Sequence, residues 1–290
     1  MRVEALLDVL KSSSEEQESI LSDLCTALSL SGPEELRHVD NLEEGIVKLS
    51  ELVSRNDQAA VALLAMRCLN HMWTAYPPSR AIAVKHGEII QHLCDKLRSI
   101  GFVDMAEEAL RGLLKLSEDH ATDIVRGDGI VVVMAFMDFF RMNTQRVVMR
   151  VVETLSRCLD SELVKFAKSA IPKLLNVMTN GDDTLASKAC ASIHHIVCAS
   201  ACQIATTLNI VDILDRFFAV LENEQDEKVV RHVPSVLKSL IVMCESSEDI
   251  ANRIVRREIG EQSPMLSRLL RRAVQYCMKK SNGDDKELMW

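Results

Sequence analysis

Residues 120–159 read HATDIVRGDGIVVVMAFMDFFRMNTQRVVMRVVETLSRCL. His120–Arg126 has the pattern of a short helix. It ends at Gly127 and Gly129, and Gly129 suits a sharp corner that needs positive φ. Val131-Val132-Val133-Met134 is the apolar core of a second helix. Met142-Asn143-Thr144 reads as a polar break that ends one helix and caps the next. A third and longer helix is expected over Gln145–Leu159.

The same order recurs along the chain. Apolar cores begin at Leu6, Ile46, Ile89, Val131, Ile171 and Ile213. They are spaced by roughly 40 residues, in the range of HEAT and armadillo repeats. The polar breaks lie at Ser12–Ser14, Ser54–Asp57, Ser99–Gly101, Met142–Thr144, Asn180–Asp183 and Glu222–Glu224. Long helices are expected over Glu16–Leu30, Gln58–Ala75, Asp104–Glu118, Gln145–Leu159, Thr184–Ser200 and Glu227–Cys244. In the second, Val61, Leu64, Ala65, Cys68, Leu69 and Met72 form one apolar stripe at spacings of three and four. Short third helices are expected at Ser79–His86, His120–Arg126 and Leu163–Ser169. Gly87 is placed at a corner like Gly129, and Pro172 in the first turn of its helix.

Two-helix HEAT units lack the short helix, so the pattern selects armadillo. One unit cannot bury its apolar face alone, and stacking supplies a continuous core. The expectation is an all-α, right-handed superhelical solenoid of about six repeats over residues 1–259. A basic capping helix is expected over 260–280 and a disordered tail over 281–290.

Composition agrees. Of 290 residues, 48% are hydrophobic and 4% aromatic, with 10 Gly and 6 Pro. That is poor in the turn residues and aromatics of β-sandwiches and barrels, and too apolar for a disordered chain. The net charge is −8. Residues 1–60 hold 13 acids against 5 bases, so the remainder is balanced. A globally acidic chain is a poor general nucleic-acid binder. The longest apolar run, Ile130–Met137, is too short to span a bilayer, and the N-terminus lacks a signal-peptide layout. Nine scattered cysteines suit a reducing compartment. The expected location is intracellular, nuclear and/or cytoplasmic.

Several stretches carry a closer resemblance. They are Glu16–Cys25, Leu63–Met72 with Tyr76-Pro77-Pro78-Ser79, Met105–Leu110 with Glu118–Ala121, and Met137–Phe140 with Thr144–Val148. Over about 15–178, and more weakly to about 259, the chain resembles the armadillo region of HECT-type E3 ubiquitin ligases. The class is that of ubiquitin-fusion degradation and the thyroid-receptor-interacting ligase. The resemblance implies a non-catalytic region that recognises protein substrates for proteasomal degradation, with ubiquitin machinery as partner. The HECT domain itself is not expected before Trp290, so a fragment or a shortened adaptor is implied. The alternative is a stand-alone armadillo adaptor for transport or cytoskeletal assembly.

No catalytic motif is present: no Walker loop, GxGxxG, GxSxG, HExxH or CxxC. No cofactor, metal or small-molecule substrate is expected. Cys190, His194, Cys198 and Cys202 recur every four residues. They drift by about 40° per step on a helix, so they read as a core stripe of small residues and not as four ligands.

The candidate partner-binding residues are five. Asn70 holds the position at which groove-forming relatives clamp a peptide backbone, but Lys115, Ser156 and His195 at the matching places leave no asparagine ladder. Trp73 is a core aromatic or an interface anchor. Arg146, Arg150 and Arg157 follow a long-helix face, which reads either as a solvated face partly neutralised by Glu153 or as guanidinium forks suited to an acidic partner. The basic amphipathic helix expected from about Pro264 to Lys280 reads as the terminal cap, or as a contact for anionic lipid or nucleic acid.

Overall fold

The structure is a computed structural model. It describes residues 2–12, 16–86, 88–98, 102–180, 182–200, 213, 215–217, 233–246 and 250. Among these, every regular element is helical. The α-helices are α1 (Arg2–Ser12), α2 (Gln17–Leu30), α3 (Pro33–Arg37), α4 (Leu42–Ser54), α5 (Ala59–Ala75), α6 (Ser79–His86) and α7 (Ile89–Arg98). They continue with α8 (Val103–Leu116), α9 (Ala121–Arg126), α10 (Gly129–Ala135), α11 (Met142–Arg157), α12 (Ile171–Asn180), α13 (Asp183–Ala199) and α14 (Val233–Ser246).

The chain divides into two compact units, Met1–Leu155 and Ser156–Trp290. In the first, the long helices form a row: α2 packs on α5, and α5 on α8. The medium helices form a second row, α1 on α4, α4 on α7 and α7 on α10. The rows face each other through the pairs α1–α2, α4–α5 and α7–α8. This two-layer stack is what periodic apolar stripes demand, because each helix is covered by its partner and by the next unit. Leu21, Leu24, Leu49, Leu52, Leu69 and Leu113 are fully buried in the seam. Each such side chain contributes about 1.5–3 kcal/mol of transfer free energy. In the second unit, α12 packs on α13 and α13 on α14.

One sequence feature sits beneath each repeat. The long helices bury the same six positions: Ala65, Met66, Cys68, Leu69, Met72 and Trp73 in α5, and Ala109, Leu110, Gly112, Leu113, Leu116 and Ser117 at α8. The pattern continues with Val148, Met149, Val151, Val152, Leu155 and Ser156 in α11, and Ala189, Cys190, Ser192, Ile193, Ile196 and Val197 in α13. This burial register corrects the sequence alignment. The equivalents of Asn70 are Leu114, Glu153 and His194, not Lys115, Ser156 and His195. The absence of an asparagine ladder stands.

Helix ends differ from expectation in three places. The corner residue with positive φ is Asp128, at φ 60°, not Gly129. Gly129 begins α10, and a Cβ there would lie 2.3 Å from Ile124 Cγ2 and 2.7 Å from the Ile124 carbonyl oxygen. Glycine is needed for close approach of α10 to α9, not for its torsion. Met142–Thr144 is the first turn of α11 and not a break. The Thr144 hydroxyl donates to Glu107 Oε1 at 2.8 Å, so its side chain bonds across to α8. Leu163–Ser169 forms two short 3-10 turns, Val164–Phe166 and Lys168–Ala170, in place of one α-helix. Asp160 accepts the Glu162 and Leu163 amides at 2.9 and 2.8 Å and starts a turn. Pro172 has no N–H to offer the Lys168 carbonyl.

Gly87, Gly101, the break at Glu222–Glu224, the start of the helix at Glu227, Cys202, the 259 boundary, the basic segment 260–280 and the tail 281–290 lie outside the described residues.

A candidate partner-binding face

The seam between α5 and α8 is held by polar groups that the apolar pattern does not reveal. The Asn70 amide donates to the Glu108 carbonyl oxygen at 3.0 Å and to Glu108 Oε1 at 2.8 Å. Arg111 donates to Glu108 Oε2 at 2.9 Å. Lys115 donates to the Asn70 carbonyl oxygen at 2.5 Å and to the Thr74 hydroxyl. It thereby adds a donor from α8 to a carbonyl that the Thr74 hydroxyl also reaches, at 2.7 Å. Burial lowers the Lys115 pKa, against the opposing pull of Glu108. His71 alongside is also lowered, first by burial and then by Lys115.

Two further cations act in the same way. Lys96 is buried and donates to the Arg55 carbonyl oxygen and to Asn56 Oδ1, both at 2.7 Å, which joins α7 to the end of α4. Arg80 is buried in α6 and donates to the Trp73 carbonyl oxygen at 3.3 Å, to Glu118 at 2.7 Å and to Asp119 at 2.8 Å. The sequence reading did not single out Arg80, Lys96 or Glu108. Their only signal was a charge placed within an apolar pattern.

The five sequence-derived candidates separate by burial. Asn70 is 4% exposed and Trp73 1% exposed. Trp73 packs against Gly112, where an added Cβ would meet its ring at 3.2 Å and Leu93 at 3.1 Å. An interface anchor needs surface left to bury, and Trp73 has almost none. The amide that was to clamp a peptide at Asn70 donates instead to Glu108. Arg146, Arg150 and Arg157 are exposed on α11.

The burial register then brings out a relation that single-helix reading missed. The position between the first and second buried pairs is Arg67 in α5, Arg111 in α8 and Arg150 in α11. In α13 it is Ala191. Arg67 is half-buried, and Arg111 and Arg150 are exposed. Three successive long helices of the first unit thus present one arginine each at the same place. Packed neighbouring helices lie about 8–10 Å apart, which is the length of about three residues of an extended chain at about 3.3 Å per residue.

Elsewhere in this unit an open groove of about 610 Å³ lies beside α1, α4 and the end of α6. Most of its ionisable side chains are paired: Lys11 with Glu44 at 2.5 Å, Lys48 with Glu51 at 3.3 Å and His86 with Glu43 at 2.8 Å. Among the described residues no cluster of His, Cys, Asp and Glu has the arrangement of a metal site. Cys190 is buried while Cys198 is exposed, its sulfur 3.7–3.8 Å from the His194 ring nitrogens. The expected core stripe therefore ends before Cys198. No described helix is long and apolar enough to cross a membrane.

Comparison with known proteins places this architecture. Residues 1–126 match the family model described as "E3 ubiquitin-protein ligase TRIP12-like, TPR repeats". E3 ubiquitin-protein ligase UPL4 of Arabidopsis thaliana is 33% identical over 171 residues, which is 58% of this chain and 11% of that protein. E3 ubiquitin-protein ligase TRIP12 of Danio rerio is 24% identical, over 68% of this chain and 10% of its own length. Ubiquitin fusion degradation protein 4 of Saccharomyces cerevisiae is 23% identical, over 81% and 15%. The chain thus spans about a tenth of the length of the curated relatives it matches. Among solved structures, a computationally designed armadillo repeat protein for modular peptide recognition superposes with TM-score 0.65 at 12% identity, covering 82% of this chain and 99% of that one. A designed armadillo repeat protein in complex with the peptide (KR)4 gives 0.64 at 11% identity, covering 82% and 99%. The chain therefore has an armadillo-type repeat fold, is similar over residues 1–126 to the TRIP12-like repeat model, and has relatives named as E3 ubiquitin-protein ligases and ubiquitin fusion degradation proteins.

Proposed function

We propose that this chain is the non-catalytic substrate-recognition region of a HECT-type E3 ubiquitin ligase acting in proteasome-dependent degradation, nuclear and/or cytoplasmic. The relation to ligase repeat regions carries the class of function. The site is supported by the arginines on successive long helices, Arg67, Arg111 and Arg150, with Arg146 one turn before Arg150 and Arg157 at the end of α11. Guanidinium forks bind carboxylates bidentately, so the partner feature is an extended acidic segment of a protein substrate. Asn70 contributes by holding Glu108, and through it Arg111, in place, and Trp73 by supporting the seam.

The solved neighbour bound to (KR)4 takes a basic peptide. The charge of the ladder here predicts the opposite preference. Fluorescence anisotropy with glutamate-rich and lysine-rich peptides tests it directly. The acidic peptide is expected to bind in a salt-dependent way, and the double variant R111E/R150E to weaken it more than about tenfold while circular dichroism stays unchanged. Equal affinity of the variant removes the ladder from the reading. The ligase assignment is tested separately by whether the chain, in cells, is recovered with a HECT catalytic domain and ubiquitin conjugates. Recovery without any ubiquitin machinery favours the stand-alone adaptor.

A further inference from the structure

Two cysteines meet where the first two long helices pack. Cys25 lies on α2 and is half-buried, while Cys68 lies on α5 and is fully buried. The Cys68 thiol is 3.5 Å from the Leu21 carbonyl oxygen, one turn before Cys25 on the same helix. The Cys68 sulfur thus lies beside the turn of α2 that carries Cys25, where α2 packs on α5. Neither cysteine belongs to the arginine ladder, although Arg67, its first rung, directly precedes Cys68.

We propose that Cys25 and Cys68 form an oxidisable dithiol that closes to a disulfide between α2 and α5. The roles follow from position. Cys25 is reachable from solvent, and the Cys68 thiol beside it donates to its thiolate and so stabilises it. This hydrogen bond, helped by Arg67 and opposed by burial and by Glu108, lowers the Cys25 pKa from 9.0 to about 7. Cys68 is pushed up by its bond to Cys25 and by burial, and stays a thiol. In the first step the Cys25 thiolate attacks one oxygen of a hydroperoxide. An S–O bond forms, the O–O bond breaks, and the alcohol or water leaves after taking a proton. Cys25 is thereby oxidised by two electrons to a sulfenic acid. In the second, Cys68 loses its proton and attacks the Cys25 sulfur. The S–S bond forms, the S–O bond breaks, and water leaves with that proton. An external dithiol reverses the sequence.

The molecule carries its own controls. Burial pushes Cys94 up to about 11 and Cys190 up to about 12, so both are poor nucleophiles at neutral pH. The test treats the full chain with limiting hydrogen peroxide at pH 7 and maps peptides by mass under non-reducing conditions. A cross-linked pair containing Cys25 and Cys68 is expected first, with Cys94 and Cys190 unmodified. In C68S the cross-link is replaced by a Cys25 sulfenic acid that dimedone traps. Iodoacetamide labelling of the unsubstituted chain needs no variant. Cys25 should react more than about a hundredfold faster than Cys94 at pH 7, with its rate rising through pH 7. Labelling of Cys25 no faster than Cys94, or pairing of Cys25 with a cysteine other than Cys68, overturns the proposal.

Discussion

The seam between α5 and α8 and the pair α12–α13 are built from the same repeat but are held differently. Around α5–α8, buried and half-buried polar groups reach from one repeat to the next: Asn70 to Glu108, half-buried Lys115 to the Asn70 carbonyl, and Arg80 to Glu118 and Asp119. In α12–α13 the packing is mainly apolar, with Leu174, Leu175 and Met178 buried on α12 and Leu185, Ala186, Ala189 and Ile193 buried on α13. Its local order at the turn comes from Asp182, whose carboxylate accepts the Leu185 amide at 2.8 Å. Apolar stripes suffice to stack a helix pair. Polar clamps add a fixed register, because a buried amide or ammonium costs free energy in any arrangement that leaves it unpaired.

Removing the centre of the first region has the largest expected effect. Trp73→Ala should lower unfolding free energy by about 3–5 kcal/mol in urea titration, because its ring fills the space over Gly112. A loss below about 1 kcal/mol would mean that the seam does not depend on this ring. Next, Glu108→Ala leaves the Asn70 amide without its side-chain acceptor and should cost about 1–3 kcal/mol. The comparison fails if Glu108→Ala is neutral, since the clamp would then add nothing to apolar packing. In the second region, Asp182→Ala should cost about 1 kcal/mol through the lost cap of α13.

The smallest effect concerns pH and is shared by both regions. His71 and His194 are each lowered from 6.5, chiefly by burial. The unfolded chain therefore takes up these protons first as pH falls. Stability should be full above 6.5 and decline as pH drops below it, reaching its lower level beneath the folded-state pKa values. Thermal midpoints measured between pH 8 and 5 should fall, and His71→Gln should flatten part of the slope. A midpoint that rises on acidification contradicts the sign.

The repeat order was legible because apolar periodicity is local. The expected helix at Ser79–His86 is α6, and the expected long helices overlap α2, α5, α8, α11 and α13 within a few residues at each end. Helix ends were less legible. Asp128 and not Gly129 takes the left-handed torsion, because Gly129 is required by its distance to Ile124, which lies in another helix. The site was less legible still. Arg146, Arg150 and Arg157 were visible as a periodic basic face on one helix. The relation of Arg150 to Arg111 and Arg67 depends on which positions of three separate helices are buried, and insertions of different length between the repeats hide it.

The sequence by itself determined the helical class, the three-helix unit and the similarity to ligase repeats, since spacing and residue order are carried along one chain. Only the tertiary structure decided that Asn70 and Trp73 belong to the core, that Glu108, Lys96 and Arg80 tie neighbouring repeats, and that Cys25 meets Cys68. Those facts are contacts between residues roughly 40 positions apart, as in Asn70 with Glu108 and Lys96 with Asn56. Burial and pairing at that range follow from how the helices stack, and no local pattern encodes them.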